Sequence, residues 1–259
     1  MRLEKVKAKK HLGQHFLKDL DAAKRITDLY RGPAKVLEIG PGMGVLTQYL
    51  RERSDLALYL VEIDKESVVY LQHKYGFGED RLFDADFLKI DIRSLLGLQE
   101  SEEFGIIGNF PYNISSQIFF RVLDYKDQIT EVVGMVQKEV GKRIASGPGN
   151  KDYGILSVLL QAFYDIEYSF TVPPGAFDPP PKVDSGVIRL VRNREKKLDC
   201  DYKRFKLVVK TAFNQRRKML SNALKPISEQ KEFPYENKRA EQLDYLQFVE
   251  ITQALFPNQ

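Results

Sequence analysis

Short runs of apolar residues alternate along most of the chain with longer segments whose apolar positions recur at helical spacing. The short runs predict buried strands and the longer segments predict helices. Strands are expected at 35–39, 56–63, 81–83, 104–109 and 130–137, and helices at 45–53, 65–75, about 115–123, 138–145 and 154–162.

Two further apolar runs, at 164–172 and 187–191, are joined by a Pro-rich loop with no helix between them. This pair predicts an antiparallel edge. The earlier alternation of near-continuous apolar strands with helices predicts an α/β fold, in which helices cover both faces of a parallel sheet.

The pattern changes after Asn193, where helical segments are expected at 201–213, 217–224 and 243–255, separated by breaks at Pro226 and Pro234. We therefore place a domain boundary near 193–199. Residues 1–193 form the predicted sheet domain, and residues 199–259 form a small helical domain.

The composition of the 259 residues excludes several classes of protein. A single cysteine, Cys200, excludes an internal disulfide and indicates a reducing compartment. With only three histidines, a structural zinc site is not expected. No apolar run reaches the roughly 18 residues of a membrane span, and the basic N-terminus lacks the apolar core of a secretory signal. We expect a soluble cytoplasmic monomer with no bound metal.

Positive charge is concentrated in the predicted helical domain. Between Lys203 and Lys225 there are eight basic residues and no acidic one. A solvated helix face usually mixes both signs, so this segment favours a phosphate backbone as its partner.

A glycine-rich turn, Gly40 to Gly44, follows the first predicted strand and opens the first predicted helix. Glycines permit positive φ and close approach of a ligand, and a helix N-terminus attracts carboxylates and phosphates. The third glycine comes one residue too early for the dinucleotide fingerprint, and the Lys-Ser/Thr pair of a P-loop is absent. The turn alone does not identify the ligand.

Acidic residues follow the next two predicted strands. Glu62 lies 22 residues after Gly40, about where an acid binds ribose hydroxyls, while Asp64 is expected to cap the next helix. Asp86 follows the third strand and could accept a hydrogen bond from an adenine amino group. Each acid alone could equally be a helix cap or a solvated carboxylate. Together they predict a nucleoside site at the carboxyl ends of the strands.

The stretch Asn109-Phe110-Pro111-Tyr112 ends the fourth predicted strand. Pro111 ends the strand ladder, so a backbone carbonyl and the amide oxygen of Asn109 can accept two N–H bonds. Tyr112 offers a flat face for stacking. These groups suit an amino group on a heteroaromatic ring. The alternative interpretation of the same residues is a strand-ending turn with a buried tyrosine. The motifs call for a cofactor that contains a nucleoside and a carboxylate but needs no phosphate. S-adenosylmethionine fits this description and is the predicted cofactor.

With these motifs in place, the chain resembles the ribosomal RNA adenine dimethyltransferase family of the small-subunit type. The resemblance covers nearly the full length. It is carried by six segments: KHLGQHFL (10–17), EIGPGMGVLT (38–47), VEID (61–64), NFPYNIS (109–115), FDPPPKVDSGVIRL (177–190) and AFNQRRKML (212–220).

The resemblance implies a Rossmann-like class I methyltransferase sheet with a small all-α C-terminal domain. It also implies a reaction, in which S-adenosylmethionine donates two methyls to each of two adjacent adenines near the 3′ end of small-subunit (16S) rRNA. The partner would be an immature small ribosomal subunit.

The resemblance also assigns roles to residues. Around the cofactor, besides Asn109, it places His15, Leu17, Gly40, Gly42, Glu62 and Asp86. Many family members have Asn where this chain has His15, and His15 could instead be a helix-start residue packed on Phe16.

For the target base, the resemblance implies that Asn109 and the carbonyl of Phe110 hold the adenine amino group. Tyr112 and Phe177 would sandwich the ring, with Pro111 between the two acceptors and Tyr112. Phe177 could otherwise be a loop aromatic that covers the sheet edge.

Three adjacent basic residues, Arg216, Arg217 and Lys218, are expected to contact RNA phosphates, because no acid lies near them. A solvated helix face is the alternative.

Two other functions stay open at this point. One is the same chemistry on large-subunit rRNA or DNA, which the segments 177–190 and 212–220 disfavour. The other is a ribosome-assembly factor whose binding matters more than its catalysis. An NAD-dependent oxidoreductase is disfavoured by the glycine spacing.

Overall fold

The computed structural model describes residues 6–229 and 231–257. Within these residues the chain forms strands, α-helices and short 3₁₀ turns. The strands are β1 Phe16–Leu17, β2 Lys35–Ile39, β3 Ala57–Glu62, β4 Leu82–Asp84, β5 Phe104–Asn109, β6 Ile129–Gln137, β7 Tyr164–Val172, β8 Phe177–Asp178 and β9 Ser185–Arg192.

Most helices lie between the strands of the sheet or in the C-terminal part of the chain. They are α1 Leu20–Leu29, α2 Thr47–Leu50, α3 Lys65–Tyr75, α4 Ile92–Leu96, α5 Ser115–Asp124, α6 Lys138–Ala145, α7 Ile155–Gln161, α8 Tyr202–Asn214, α9 Leu220–Ala223, α10 Lys225–Ser228 and α11 Tyr245–Leu255.

Seven of the strands form one mixed sheet in the order β4-β3-β2-β5-β6-β9-β7. β2 pairs in parallel with both β3 and β5, and β6 pairs antiparallel with β9. The expected α/β fold is therefore confirmed, and β7 and β9, the two strands of the expected antiparallel pair, lie side by side at one edge of the sheet. From β2 the chain builds outward through β3 and β4, then crosses to the other side of β2 with β5. The strand order thus reverses between β2 and β5, where ligands bind in open α/β sheets.

The chain divides into two compact units. One contains the residues up to Gly141 together with Glu167–Arg192, and the other contains Lys142–Ile166 together with the residues from Asn193 onward. In the second unit α7 precedes the C-terminal helices, and the ring of Tyr153 meets that of Phe213 with centroids 6.1 Å apart. The functional division at 193–199 stays a prediction, and the second unit includes a helix that lies before that boundary.

The side chain of Phe110 fixes the end of β5. The backbone N–H of Phe110 donates to the carbonyl of Met135 at 3.0 Å, and the Phe110 ring is fully buried. A Cβ atom on Gly134 would lie 2.5 Å from the ring, and one on Gly108 would lie 3.0 Å from it. The ring therefore fills space that is open only because residues 108 and 134 are glycines. The packing of Phe110 in this space sets the direction in which Asn109 and Pro111 leave the sheet.

A second short sheet ties the N-terminal segment to the loop before β9. β1 pairs antiparallel with β8, with Phe16 opposite Asp178 and Leu17 opposite Phe177. Lys18 adds a backbone bond to Ala176 at 2.8 Å. The segment before α1 is therefore held against the same unit that carries the carboxyl ends of the strands.

Glu38 is a carboxyl buried inside this unit, on β2, with 1% of its surface exposed. It accepts a hydrogen bond from the Thr47 hydroxyl at 2.7 Å. Burial raises the pKa of Glu38 to about 8, because the ionised form loses its hydration, although the Thr47 hydroxyl opposes the shift.

None of the helices in the described part of the chain is long and apolar enough to cross a bilayer.

Replacing Gly134 by alanine should destabilise the protein, because the added methyl overlaps the Phe110 ring. We expect the free energy of unfolding to fall by about 1–3 kcal/mol, as in other overpacked cores. Urea unfolding followed by far-UV circular dichroism measures it. Gly175→Ala is the control, since nothing lies within 4 Å of its added Cβ. Equal stability of the two variants would contradict this account of how the Phe110 ring packs.

The raised pKa of Glu38 should make stability depend on pH. Between the unfolded pKa near 4.5 and the folded value of about 8, the folded state holds a proton that the unfolded state has released. The contribution is therefore full below this window and is lost as pH rises through it. Glu38→Gln, which keeps an acceptor for Thr47, should match wild type near the bottom of the window.

Above pH 8 the Glu38→Gln variant should be more stable than wild type by several kcal/mol, since one pKa unit corresponds to about 1.4 kcal/mol. Urea midpoints of both proteins across this range test it. Curves that stay parallel with pH would show that Glu38 does not carry the effect.

Candidate active site

The glycine turn leaves an open approach at the end of β2. Gly40 and Gly42 have φ angles of 63° and 56°, which favour glycine. A Cβ on Gly42 would lie 2.8 Å from the Phe16 ring, whereas the nearest atom to one on Gly40 is a Pro111 carbon at 3.8 Å. Gly42 is thus packed on protein, while Gly40 presents its backbone to open space.

Glu62 connects the ends of β2 and β3. One of its carboxylate oxygens accepts the N–H of Gly42 at 2.9 Å, and the other accepts those of Ile63 and Asp64, each at 2.9 Å. The residue is 4% exposed. Burial raises the pKa of Glu62, and the three N–H donors oppose the shift. The oxygen bonded to Gly42 keeps acceptor capacity for a ligand hydroxyl.

Beyond β3, Asp64 caps α3 as expected, accepting the Glu66 N–H at 3.2 Å. Asp86 follows β4. One of its oxygens accepts the N–H of Leu88 at 3.0 Å, and the other pairs with the exposed Lys89 ammonium at 3.3 Å. Because Lys89 is solvated, this pair is weak, and the Asp86 carboxylate is available to a ligand amino group.

The side chain of Asn109 has a defined orientation at the end of β5. Its Nδ2 donates to the backbone carbonyl of His15 at 3.0 Å. Within residues 6–229 and 231–257, neither Asn109 Oδ1 nor the carbonyl of Phe110 accepts a hydrogen bond. Pro111 follows these two acceptors and has no N–H of its own. Two adjacent acceptors therefore stand ready at the strand end.

Tyr112 stands beside these acceptors. Its hydroxyl shares a hydrogen bond with that of the buried Ser185, and its ring centroid lies 5.4 Å from that of His15. Burial raises the pKa of Tyr112, partly offset by Ser185. His15 is itself held, because its Nδ1 lies 2.8 Å from the carbonyl of Pro179. Since a carbonyl only accepts, Nδ1 carries the proton in this contact.

These groups surround one cavity of about 180 Å³. Its wall combines the carboxyl ends of the strands with part of the N-terminal segment. Of the predicted site residues, it is lined by His15, Gly40, Gly42, Glu62, Asp86, Asn109, Phe110, Pro111 and Tyr112.

Two predicted residues lie elsewhere. Leu17 and Phe177 are 4% and 1% exposed, they face each other across the β1–β8 pair, and neither lines this cavity. Leu17 lines a smaller cavity of about 30 Å³ with Glu38 and Asn109. The sandwiching of a base by Phe177 would require its ring to leave the core, and that role stays a prediction.

The three predicted RNA contacts differ from one another. Arg216 is engaged within its own unit, donating to the Glu241 carboxylate at 2.8 Å and to the Lys151 carbonyl at 2.6 Å. Arg217 and Lys218 are exposed, and their side chains make no hydrogen bond or ion pair with the described residues. Only these two have the freedom that a phosphate contact needs.

Sequence reasoning missed several residues of the cavity wall. Ile63 is an apolar side chain with 49% exposure that offers a flat contact for a ring beside Glu62. Gln14 lies in the wall and bonds to Asp64. The position of Ile63 directly after Glu62 could have indicated the first. The second depends on a contact across 50 residues, which no local pattern reveals.

The donor set fits a nucleoside joined to an amino acid. Gly40 leaves room for close approach, Glu62 has acceptor capacity for a ribose hydroxyl, Ile63 offers an apolar face, and Asp86 can accept from a purine amino group. These are the features that S-adenosylmethionine requires.

Comparison with known proteins identifies the family. The sequence model of the family described as "Ribosomal RNA adenine dimethylase" matches residues 5–255.

Named relatives align over almost the whole chain. A protein of Cytophaga hutchinsonii named "Ribosomal RNA small subunit methyltransferase A" is 55% identical, covering 98% of this chain and 99% of its own. One of the same name from Parabacteroides distasonis is 57% identical, covering 95% of this chain and 93% of its own.

Solved structures share the fold at lower identity. A dimethyladenosine transferase from Plasmodium falciparum has a TM-score of 0.74 at 23% identity, covering 92% of this chain and 96% of its own. The 23S rRNA methyltransferase ErmE has a TM-score of 0.70 at 24% identity, covering 93% of this chain and 99% of its own. The fold is that of a class I methyltransferase.

The family match across residues 5–255 and the relatives above 50% identity agree with a strand-end cavity whose residues fit a nucleoside cofactor. This chain belongs to the ribosomal RNA adenine dimethylase family, as an enzyme that uses S-adenosylmethionine to dimethylate adenine in rRNA.

Proposed function

We propose that this enzyme dimethylates the 6-amino groups of two adjacent adenines near the 3′ end of small-subunit rRNA, acting in the cytoplasm as a monomer on an immature small ribosomal subunit. The observation that carries the proposal is the pair of acceptors at the end of β5. Asn109 Oδ1 and the Phe110 carbonyl both lack hydrogen-bond partners among the described residues.

An adenine amino group has two N–H donors and a nitrogen lone pair that is delocalised into the ring. Bonds from its two N–H groups to Asn109 Oδ1 and the Phe110 carbonyl would favour a more pyramidal nitrogen. Its lone pair would then be free to attack. S-adenosylmethionine, when bound, supplies an electrophilic methyl group on its sulfonium. The chain contributes mainly position and fixed dipoles, and the proton can leave after transfer.

The target adenine must first leave its stack, which costs a few kcal/mol in a duplex. Stacking on the Tyr112 ring would offset about 1–3 kcal/mol of that cost, by analogy with single-strand binders. The Ser185 hydroxyl and the His15 ring support Tyr112 in this role. The predicted second stacking partner, Phe177, would have to move from its buried position.

The choice of small-subunit rRNA rests on the relatives rather than on the fold. The two relatives from Cytophaga and Parabacteroides are named for the small subunit. The 23S rRNA methyltransferase ErmE shares the fold at 24% identity, so the fold alone does not choose between subunits.

The direct test is transfer of labelled methyl from S-adenosylmethionine to small subunits that lack the adenine marks, with large subunits and a DNA duplex in parallel. We expect label on small subunits only. Label on large subunits or on DNA would show that the substrate is large-subunit rRNA or DNA instead. Binding to small subunits without any label would favour the assembly-factor alternative.

Asn109→Ala should abolish most of the transfer. Loss of one positioned polar group in an active site costs about 10²–10³ in rate, while cofactor affinity should stay largely intact because Glu62 and Gly40 remain. Single-turnover transfer and calorimetric cofactor binding measure the two effects. The exposed Asn222 provides the control variant Asn222→Ala. Equal transfer by Asn109→Ala and wild type would remove the central claim.

Substitutions in the basic segment should separate phosphate contact from internal support. Arg217→Ala and Lys218→Ala should each weaken subunit binding and reduce the slope of log affinity against log salt by about 0.7–0.9. Arg216→Ala should instead lower thermal stability, since it removes the bonds to Glu241 and Lys151. Salt titrations of subunit binding and thermal melts distinguish them. An unchanged slope in the first two variants would exclude them as phosphate contacts.

A further inference from the structure

The N-terminal segment Lys9–Leu17 forms one wall of the cofactor cavity. Five consecutive residues of the segment, from Leu12 to Phe16, line the cavity. The segment runs close to the loop after Pro111. A Cβ on Gly13, whose φ is 66°, would lie 2.6 Å from the side-chain oxygen of Asn113. Its C-terminal end is fixed by the β1–β8 pair.

Gln14 fixes the other end of this segment with both atoms of its amide. Its Oε1 accepts the backbone N–H of Lys9 at 2.8 Å, and its Nε2 donates to the Asp64 carboxylate at 3.2 Å. Gln14 thereby joins two points of the N-terminal segment to Asp64, the N-cap residue of α3.

Asp64 is a firm anchor for this contact. Its side chain is fully buried, and it also accepts from the Ser67 hydroxyl at 3.1 Å and pairs with the Lys9 ammonium. Burial alone would raise the pKa of Asp64, but the bonds from Lys9 and Gln14 outweigh it, and the net shift is downward. The carboxylate therefore stays ionised at neutral pH and holds the segment in place.

The carbonyl of His15, the residue after Gln14, orients the amide of Asn109. The carbonyl of His15 accepts from Asn109 Nδ2 at 3.0 Å. Since a carbonyl cannot donate, this contact fixes which end of the amide faces it, and Oδ1 takes the opposite position. A flipped amide would turn its NH₂ toward the substrate's amino group, placing donor against donor.

We propose that Gln14 is a positioning residue for methyl transfer. It holds the His15 carbonyl where that carbonyl orients the Asn109 amide, with the oxygen presented to the target amino group. This inference rests on the proposed function, because it takes Asn109 Oδ1 as the acceptor for that amino group. Asp64 and Lys9 act with Gln14 as the fixed end of the segment.

The first test observes the Asn109 amide directly. Protein labelled with ¹⁵N in asparagine gives side-chain NH₂ signals, and the Asn109 pair is assigned by its loss in Asn109→Ala. Gln14→Leu removes both bonds of the amide, and Gln14→Glu keeps the acceptor for Lys9 but sets a carboxylate against Asp64. Both should shift the Asn109 signals and speed their exchange with solvent. His11→Gln, at an exposed position of the same segment, is the control.

The second test measures single-turnover methyl transfer to unmarked small subunits with both substrates saturating. Both Gln14 variants should lose about 10- to 100-fold in rate, the range produced by small displacements of a catalytic group. Their affinity for S-adenosylmethionine, from calorimetry, should change much less than the rate. The comparison of rate with affinity matters because a variant of a residue that only lines the cavity would bind the cofactor more weakly and yet reach the wild-type rate at saturation.

Two results would overturn the inference: unchanged Asn109 signals in Gln14→Leu, or a wild-type saturated rate in that variant. Neither would touch the proposed function as long as wild type labels small subunits and Asn109→Ala does not. Conversely, if wild type labels no small subunits, the proposed function fails. The asparagine signals would then still report whether Gln14 holds the amide.

Discussion

The parallel pairing of β2 with β3 and β5 is the constraint on which the site depends. Because the three strands run in the same direction and in register, their carboxyl ends meet at one edge of the sheet. The order of the strands reverses at this point, so the loops after β2 and β5 diverge and leave a cavity between them. Gly40, Glu62 and Asn109 come together there although more than twenty residues separate each from the next along the chain.

Much of this arrangement could be predicted from the sequence. The apolar runs that became β2 and β5 are buried along nearly their whole length, so their pattern is strong and their bounds matched. The position of the cavity could be predicted from the glycine turn, the two acids and Asn109, because each follows the end of a strand and strand ends are local features of the sequence. The first helix after the glycine turn was predicted at 45–53, and α2 spans only Thr47–Leu50, since the chain turns on both sides of it.

The remaining features depend on contacts between distant segments. The helix α1 went unpredicted although Asp19 caps it and Ala22, Ala23 and Ile26 form its buried face. The pairing of β1 with β8, which buries Phe177, joins segments some 160 residues apart. Arg216 looked like a free cation because its partner Glu241 is remote in sequence. Side-chain partners of this kind are set by tertiary structure, and local pattern carries no information about them.

The pair of acceptors at the end of β5 has a consequence for an enzyme that methylates the same nitrogen twice. In the proposed binding mode, an unmodified amino group brings two N–H donors, one for Asn109 Oδ1 and one for the Phe110 carbonyl. After the first methyl is attached, a single donor remains, and the new methyl must occupy the place of the other. The half-modified base is therefore held by one bond fewer than the starting base. If the target amino group binds as proposed, the two rounds of methyl transfer are unequal, and the strength with which the singly methylated base is bound decides whether it stays for the second round.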